Sequence, residues 1–336
     1  MSASTAPQQY PTASQEYTPA ESDHGPDPDG LAPLDLTQQP WPGSTEVLGG
    51  RQVHLRRTPG PVDATPAVFV HGLGGSASNW TDLAGLLAPR MAGVAVDLPG
   101  FGRSEPPSQG VYTVSGSAEV VVALLEQTGP AHLFGNSMGG AVCILVAAKR
   151  PDLVCTLTLV SPAVPDLRPD PRRFSDPRMP LAYLPVLGGY FRRQLQSATP
   201  QQRAEALIRL CFADPDLVPE HRIEQAVAEA KERGSQSWAA EALGRSFGAL
   251  LQSWLTLPGR RSLWVEAAAV SAPTLVVWGA QDRLVSVDRG PRLVSVLQRG
   301  RLLVLNRVGH VAQMEQPLTV ARAAVAMHRA VQRGEW

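Results

Sequence analysis

Short strand-like runs, several of them continuously apolar, recur along this chain with helix-length stretches between them. That alternation decides what the chain can fold into. The runs cover residues 52–57, 67–70, 93–97, 131–134, 156–160, 274–278 and 302–305. Several, such as Val68-Phe69-Val70 and Leu302-Leu303-Val304-Leu305, have no polar side. A strand that is apolar on both sides is buried on both faces, as in a parallel sheet covered by helices. Residues 79–87, 117–127, 139–149, 289–297 and 318–332 have the length and texture of the covering helices. The expected class is α/β, with right-handed crossovers between parallel strands.

The alternation stops between residues 165 and 261. There, 181–195, 200–212, 219–233 and 237–255 all read as helices, two of them opened by Pro200 and Pro219 in first-turn positions. Helices inserted between two strands of one sheet predict a cap over it. Within it, the apolar stretch 180–191 reads chiefly as packing of the cap onto the core, and the pairs Arg172-Arg173 and Arg192-Arg193 as solvated surface. Residues 1–43, rich in Pro, Gln, Ser and Asp without apolar period, are expected to be disordered. The expected organisation is a tail (1–43), a first core part (44–164), a helical cap (165–261) and a second core part (262–336).

Composition narrows the function classes. With 30 basic and 30 acidic residues the net charge is zero, without the basic excess of a nucleic-acid binder. The zero is a compound figure: the first fifty residues hold seven acids and no Lys or Arg, so the remainder is basic. Three cysteines, Cys143, Cys155 and Cys211, lack metal-ligand spacing and are too few for a disulfide scaffold. No apolar run reaches the ~18 residues of a membrane span. The start shows no basic-then-apolar leader, so the expected compartment is the cytoplasm.

Gly-x-Ser-x-Gly occurs twice. Around Ser137 it directly follows the apolar run 131–134 and precedes the apolar helix-like stretch 141–148. That is the strand–turn–helix setting of a nucleophile elbow, in which a strained turn presents the hydroxyl at the carboxyl end of a sheet. Around Ser246 it lies inside a helical stretch with no strand before it, and is a decoy. A serine nucleophile needs a base that is itself oriented. His310 follows the last apolar run in a glycine-adjacent loop, and Asp282 follows the run 274–278. Ser137, Asp282 and His310 thus each follow a separate strand, at the edge where open α/β sheets bind ligands. A tetrahedral oxyanion needs backbone donors. The N–H of Met138 is one candidate, and the N–H of Leu73, in the loop His71-Gly72-Leu73-Gly74-Gly75, is the other.

These segments, with Asp97-Leu98-Pro99-Gly100-Phe101-Gly102-Arg103-Ser104, Trp278-Gly279-Ala280-Gln281-Asp282 and Gly309-His310-Val311-Ala312-Gln313-Met314-Glu315-Gln316-Pro317, resemble the α/β-hydrolase fold superfamily, in family order over residues 46–334. The resemblance implies a mostly parallel eight-stranded sheet flanked by helices, with an inserted α-helical cap. It implies a Ser137–His310–Asp282 triad, an oxyanion hole of Leu73 and Met138, and acyl transfer to water with no metal or organic cofactor. The expected substrate is a small or medium-sized carboxylic ester. Gly135-Asn136-Ser137-Met138-Gly139-Gly140 is also similar to meta-cleavage-product hydrolases, which break C–C bonds, although Leu73-Gly74-Gly75 and Val311 depart from their usual pattern. A ligand-binding protein that keeps the fold without catalysis is the third reading.

Overall fold

The computed structural model describes residues 29–107, 110, 112–166, 198–255 and 262–336. The helix expected at 181–195, the arginine pairs and the first 28 residues lie outside them.

Eight strands form one sheet: β1 (Gly43–Leu48), β2 (Arg51–Thr58), β3 (Ala67–Val70), β4 (Gly93–Val96), β5 (Ala131–Asn136), β6 (Val154–Val160), β7 (Thr274–Gly279) and β8 (Gly300–Leu305). Their spatial order is β1-β2-β4-β3-β5-β6-β7-β8. β2 runs antiparallel to both β1 and β4, and from β4 to β8 every pairing is parallel. This is the expected fold class.

The apolar runs have a direct structural cause. Side chains alternate between the two faces of a strand, and both faces here are covered. On one side, Val68, Val70, Leu133, Val276 and Trp278 share one core cluster with buried residues of helices α2 (Val114–Thr128) and α3 (Met138–Lys149). On the other, Ala67, Phe69, Phe134, Leu275 and Val277 pack against α1 (Thr81–Leu87) and the C-terminal helix. Phe69 and Phe134 sit in register on β3 and β5, with ring centroids 4.8 Å apart.

Between β6 and β7 the described chain contains α4 (Pro200–Cys211), α5 (Glu220–Ser235), α6 (Ala239–Trp254) and the short α7 (Leu263–Ala268), which returns to α3. After β7 come α8 (Gly290–Val296), α9 (Ala312–Glu315) and α10 (Pro317–Gln332). Thr199 and Gln202 close a capping box at the start of α4, with Pro200 in the first turn. Among the described residues no helix is long and apolar enough to cross a membrane.

Two stretches differ from the sequence reading. Gly43–Leu48 is an edge strand, largely exposed, and so carries no apolar run. Residues 29–42, expected within the disordered tail, are anchored on α1 at two points. Leu31 is buried, the Ala32 N–H donates to the Leu86 carbonyl at 3.0 Å, and Trp41 Nε1 donates to the Thr81 carbonyl at 3.0 Å. An irregular segment held by such single bonds has no periodicity to announce it.

The chain passes from β3 to β4 on one side of β3 and takes up β5 on the other. Connections diverge at β3/β5, which makes the carboxyl ends of these strands the natural crevice of the sheet.

Candidate active site

Ser137 links β5 to α3 with φ 54° and ψ −121°, a backbone conformation that side-chain-bearing residues rarely adopt. It stands at the N-cap of α3, yet its hydroxyl makes no capping bond. The flanking glycines explain how so tight a turn packs. A Cβ on Gly135 would come within 2.6 Å of Cys143 Sγ, and one on Gly139 within 2.5 Å of the His71 carbonyl oxygen. The turn is held by the Ser137 N–H to the Val160 carbonyl at 3.1 Å and by the Ala163 N–H to the Ser137 carbonyl at 2.8 Å. Ser246 contrasts with it. It lies in mid-α6, and a Cβ on Gly244 or Gly248 would meet nothing within 4 Å. The second motif copy is therefore incidental.

Asp282 and His310 are brought together. His310 Nδ1 is 2.8 Å from Asp282 Oδ2, and both side chains are buried. The other carboxylate oxygen of Asp282 accepts the N–H groups of Leu284 and Val285 at 2.8 and 3.0 Å, which fixes the plane of the acid. A carboxylate can only accept, so Nδ1 donates to it. In the neutral form of the ring, Nε2 is then the nitrogen that carries the lone pair.

The loop bearing His310 is tied on three sides. Asn136 Nδ2, next to Ser137, donates to the carbonyls of His310 and Val160, each at 3.0 Å. The His310 N–H donates to the Cys211 carbonyl at 2.7 Å. Glu315 accepts the Gly309 N–H at one oxygen and the Ala213 N–H at the other, both at 2.8 Å. Burial pushes the Glu315 carboxyl above its usual range, against the lowering effect of those bonds. Arg283, directly after Asp282, donates to the Arg209 carbonyl at the end of α4 at 2.5 Å. The end of α4 is thereby stitched to both the Asp282 and His310 loops. Asn136, Glu315 and Arg283 were not singled out from the sequence. Asn136 and Glu315 lay inside quoted motifs, but nothing local names their partners.

The loop after β3 approaches Ser137 closely. A Cβ on Gly72 would stand 2.9 Å from Ser137 Cβ. The Gly75 N–H donates to the Gly72 carbonyl at 3.1 Å, closing a turn over Leu73 and Gly74. Gly74 has φ +75°, the value that a type II turn demands at its third residue. Leu73, second in this turn, contributes no N–H to it. Met138 is the first residue of α3, where an N–H has no intrahelical partner. Behind the loop, His71 Nε2 accepts the Leu98 N–H at 2.9 Å and its Nδ1 lies 2.7 Å from the Gly72 carbonyl. The imidazole therefore carries its proton on Nδ1, and complete burial keeps its pKa below the ordinary value. Among the described residues no group of three or more His, Cys, Asp or Glu is placed to hold a metal ion.

A family model for the alpha/beta hydrolase fold matches residues 65–317, which hold β3 to β8 and every residue of this site. The chain belongs to the alpha/beta hydrolase fold family. It is 31% identical, over 81% of its length, to a dihydrolipoyllysine-residue acetyltransferase component of an acetoin cleaving system from Cupriavidus necator. The match spans 64% of that longer protein. A second relative is monoacylglycerol lipase abhd6-B of Xenopus laevis, 26% identical over 78% of this chain and 74% of its own. Among solved structures, 2-hydroxy-6-oxo-6-phenylhexa-2,4-dienoate hydrolase from Rhodococcus sp. strain RHA1 is similar with a TM-score of 0.70. It is 25% identical and aligns over 86% of this chain and 99% of its own.

Proposed function

We propose that this chain is a serine hydrolase that cleaves a small or medium-sized carboxylic ester through an acyl-enzyme on Ser137. One observation carries the reading: a backbone-strained serine with an uncommitted hydroxyl stands beside a loop whose histidine is oriented by a buried aspartate. Such a hydroxyl is a poor nucleophile until a base removes its proton. His310 Nε2 is that base and Asp282 stabilises the imidazolium that results. Ser137 Oγ attacks the acyl carbon as its proton passes to Nε2, and the carbonyl π pair moves onto oxygen. The N–H groups of Leu73 and Met138 receive that oxyanion. Collapse expels the alkoxide, which takes the proton from His310. Water then repeats the sequence and frees the acid. The insertion expected at 165–261, of which α4 to α6 are described, is read as the cap over this site.

The esterase reading is tested by turnover of p-nitrophenyl esters of graded chain length. Ser137→Ala should lower kcat by about 10³-fold or more with the fold retained, while Ser246→Ala should change little. Full retention of turnover in Ser137→Ala would sink the proposal. A second reading, C–C hydrolysis, draws on the likeness to the Rhodococcus dienoate hydrolase. Turnover of a vinylogous diketone acid in preference to esters would favour it. If Ser137 does not react with a fluorophosphonate, the chain is better read as a ligand-binding member of the fold.

A further inference from the structure

The helix α5, contributed by the insertion, reaches the loop that follows β3. Its Arg233 donates from Nη1 to the Gly74 carbonyl. One turn earlier, Glu229 accepts the hydroxyls of Ser76 and Ser78 just beyond that loop, the Ser76 bond being 3.1 Å. Just past the helix, Gln236 donates to the Gly102 carbonyl at 2.8 Å. Positions 229, 233 and 236 share one helical face. That face is a polar seat against the core.

The Gly74 carbonyl and the Gly75 N–H are two ends of one rigid peptide unit. Arg233 holds its oxygen, and its N–H donates to the Gly72 carbonyl at 3.1 Å. The Gly72 carbonyl and the Leu73 N–H are in turn two ends of the next peptide unit. A continuous line therefore runs from the Arg233 guanidinium through the Gly74–Gly75 peptide, across one hydrogen bond, and through the Gly72–Leu73 peptide to the Leu73 N–H. His71 Nδ1 adds a second donor to the Gly72 carbonyl at 2.7 Å. Each donor that pulls on a peptide oxygen makes the N–H of the same peptide more positive, so bonds in such a chain strengthen one another. A cation at the far end supplies the largest pull. The relay also stiffens the stretch 72–75, where three of four residues are glycine and the backbone is otherwise soft.

We propose that Arg233 is a positioning residue for hydrolysis, which orients and polarises the Leu73 N–H through these two hydrogen-bonded peptides. The inference rests on the oxyanion role given above to Leu73. It assigns the insertion a part in transition-state stabilisation besides any part in shaping the pocket. Because the oxyanion exists only after attack, the effect falls on kcat and spares ground-state binding.

The test compares Arg233→Met, Arg233→Gln and Arg233→Lys with the parent enzyme, full chain, on a p-nitrophenyl ester. Arg233→Met is expected to lower kcat about 10-fold with KM within about twofold. Arg233→Lys keeps the cation and should recover most of that loss. The carbonyl stretch of a trapped acyl-enzyme should move to higher frequency in Arg233→Met, a signature that loosened packing alone would not produce. A kcat within twofold of the parent in Arg233→Met, with an unmoved carbonyl band, overturns the proposal. If Arg233→Met melts below the assay temperature, the decision passes to Arg233→Gln, which keeps a donor without charge. A kcat at least threefold below that of Arg233→Lys supports the relay, and equality overturns it. Glu205→Gln, which removes an exposed ion pair within α4, should leave kcat unchanged. Should Ser137→Ala retain full turnover, the hydrolase reading falls and the relay's role with it. With Ser137→Ala inactive and Arg233→Met unaffected, only the relay falls.

Discussion

Asn136 Nδ2 donates to the carbonyl oxygen of His310 at 3.0 Å, joining the residue before the proposed nucleophile to the proposed base across 174 positions of sequence. The same NH₂ group donates to the Val160 carbonyl, also at 3.0 Å. One side-chain amide therefore sets the spacing between β5, β6 and the loop after β8. Replacement by Ala would leave two buried carbonyls without that donor, at about 1–3 kcal/mol. Asn136→Ala should lose stability of that order in urea unfolding. Its kcat should fall about 10-fold or more, because catalytic groups misplaced by even an ångström lose much of their rate.

Ser137 is held at φ 54° by its surroundings, and such a backbone costs about 1–3 kcal/mol in a residue with a side chain. Glycine occupies it without that strain. Ser137→Gly should therefore abolish ester turnover and at the same time raise the unfolding free energy by roughly 1 kcal/mol. A variant that loses both activity and stability would contradict the strain argument.

Two glycine-to-alanine changes should move stability in opposite directions. A Cβ on Gly279 would run into the Gly309 and Val308 carbonyl oxygens, where β7 passes the His310 loop. That loop is backbone, which cannot swing aside, so Gly279→Ala should cost about 3 kcal/mol or more and depress kcat as well. Gly244 lies within α6 and its Cβ would meet nothing within 4 Å. Gly244→Ala should stabilise by roughly 0.5–1 kcal/mol through helix propensity alone. Thermal melting of the pair reads both.

His132 on β5 and His328 on α10 stack with ring centroids 3.9 Å apart and share the Thr156 hydroxyl, at 2.9 and 3.2 Å. That hydroxyl has a single proton to donate, so at most one of the two ring nitrogens accepts from it and the other donates its N–H to the hydroxyl oxygen. Burial pulls His132 down to about 4, and burial with the neighbouring His132 pulls His328 down to about 3. In the unfolded chain both would titrate near ~6.5. Between those limits the unfolded state binds more protons. Their stabilisation is thus complete above the unfolded value and is lost as pH falls from there toward about 4 and about 3. The slope approaches ~1.4 kcal/mol per pH unit for each histidine. Urea unfolding at pH 7, 6 and 5 should show this fall, and His328→Leu should make it shallower. An equal slope in His328→Leu would reject the assignment.

The strands were legible where both faces of the sheet are covered, because a two-sided burial leaves a run such as Val68-Phe69-Val70 with no polar alternation. β1 was not, since Gly43–Leu48 is a largely exposed edge and follows no such rule. Ser137, Asp282 and His310 stood out because each follows a strand, and the position of a loop relative to a strand end is a local property. Gly135 and Gly139 were distinguishable from Gly244 and Gly248 for the same reason: one pair adjoins a strand and the other lies within a helical stretch.

The partners of Asn136, Glu315 and Arg233 were beyond that kind of reading. Each joins segments brought together only by the order in which strands assemble, and β3 lies between β4 and β5 although it precedes both in the chain. Hydrophobic period and turn chemistry are written over a few residues, so the sequence alone determined the α/β class, the strand-end loops and the strained serine. A hydrogen bond from Arg233 to Gly74 has no local signature, because its geometry depends on where α5 lands on the finished sheet. Only the tertiary structure decided that the insertion touches the loop carrying Leu73.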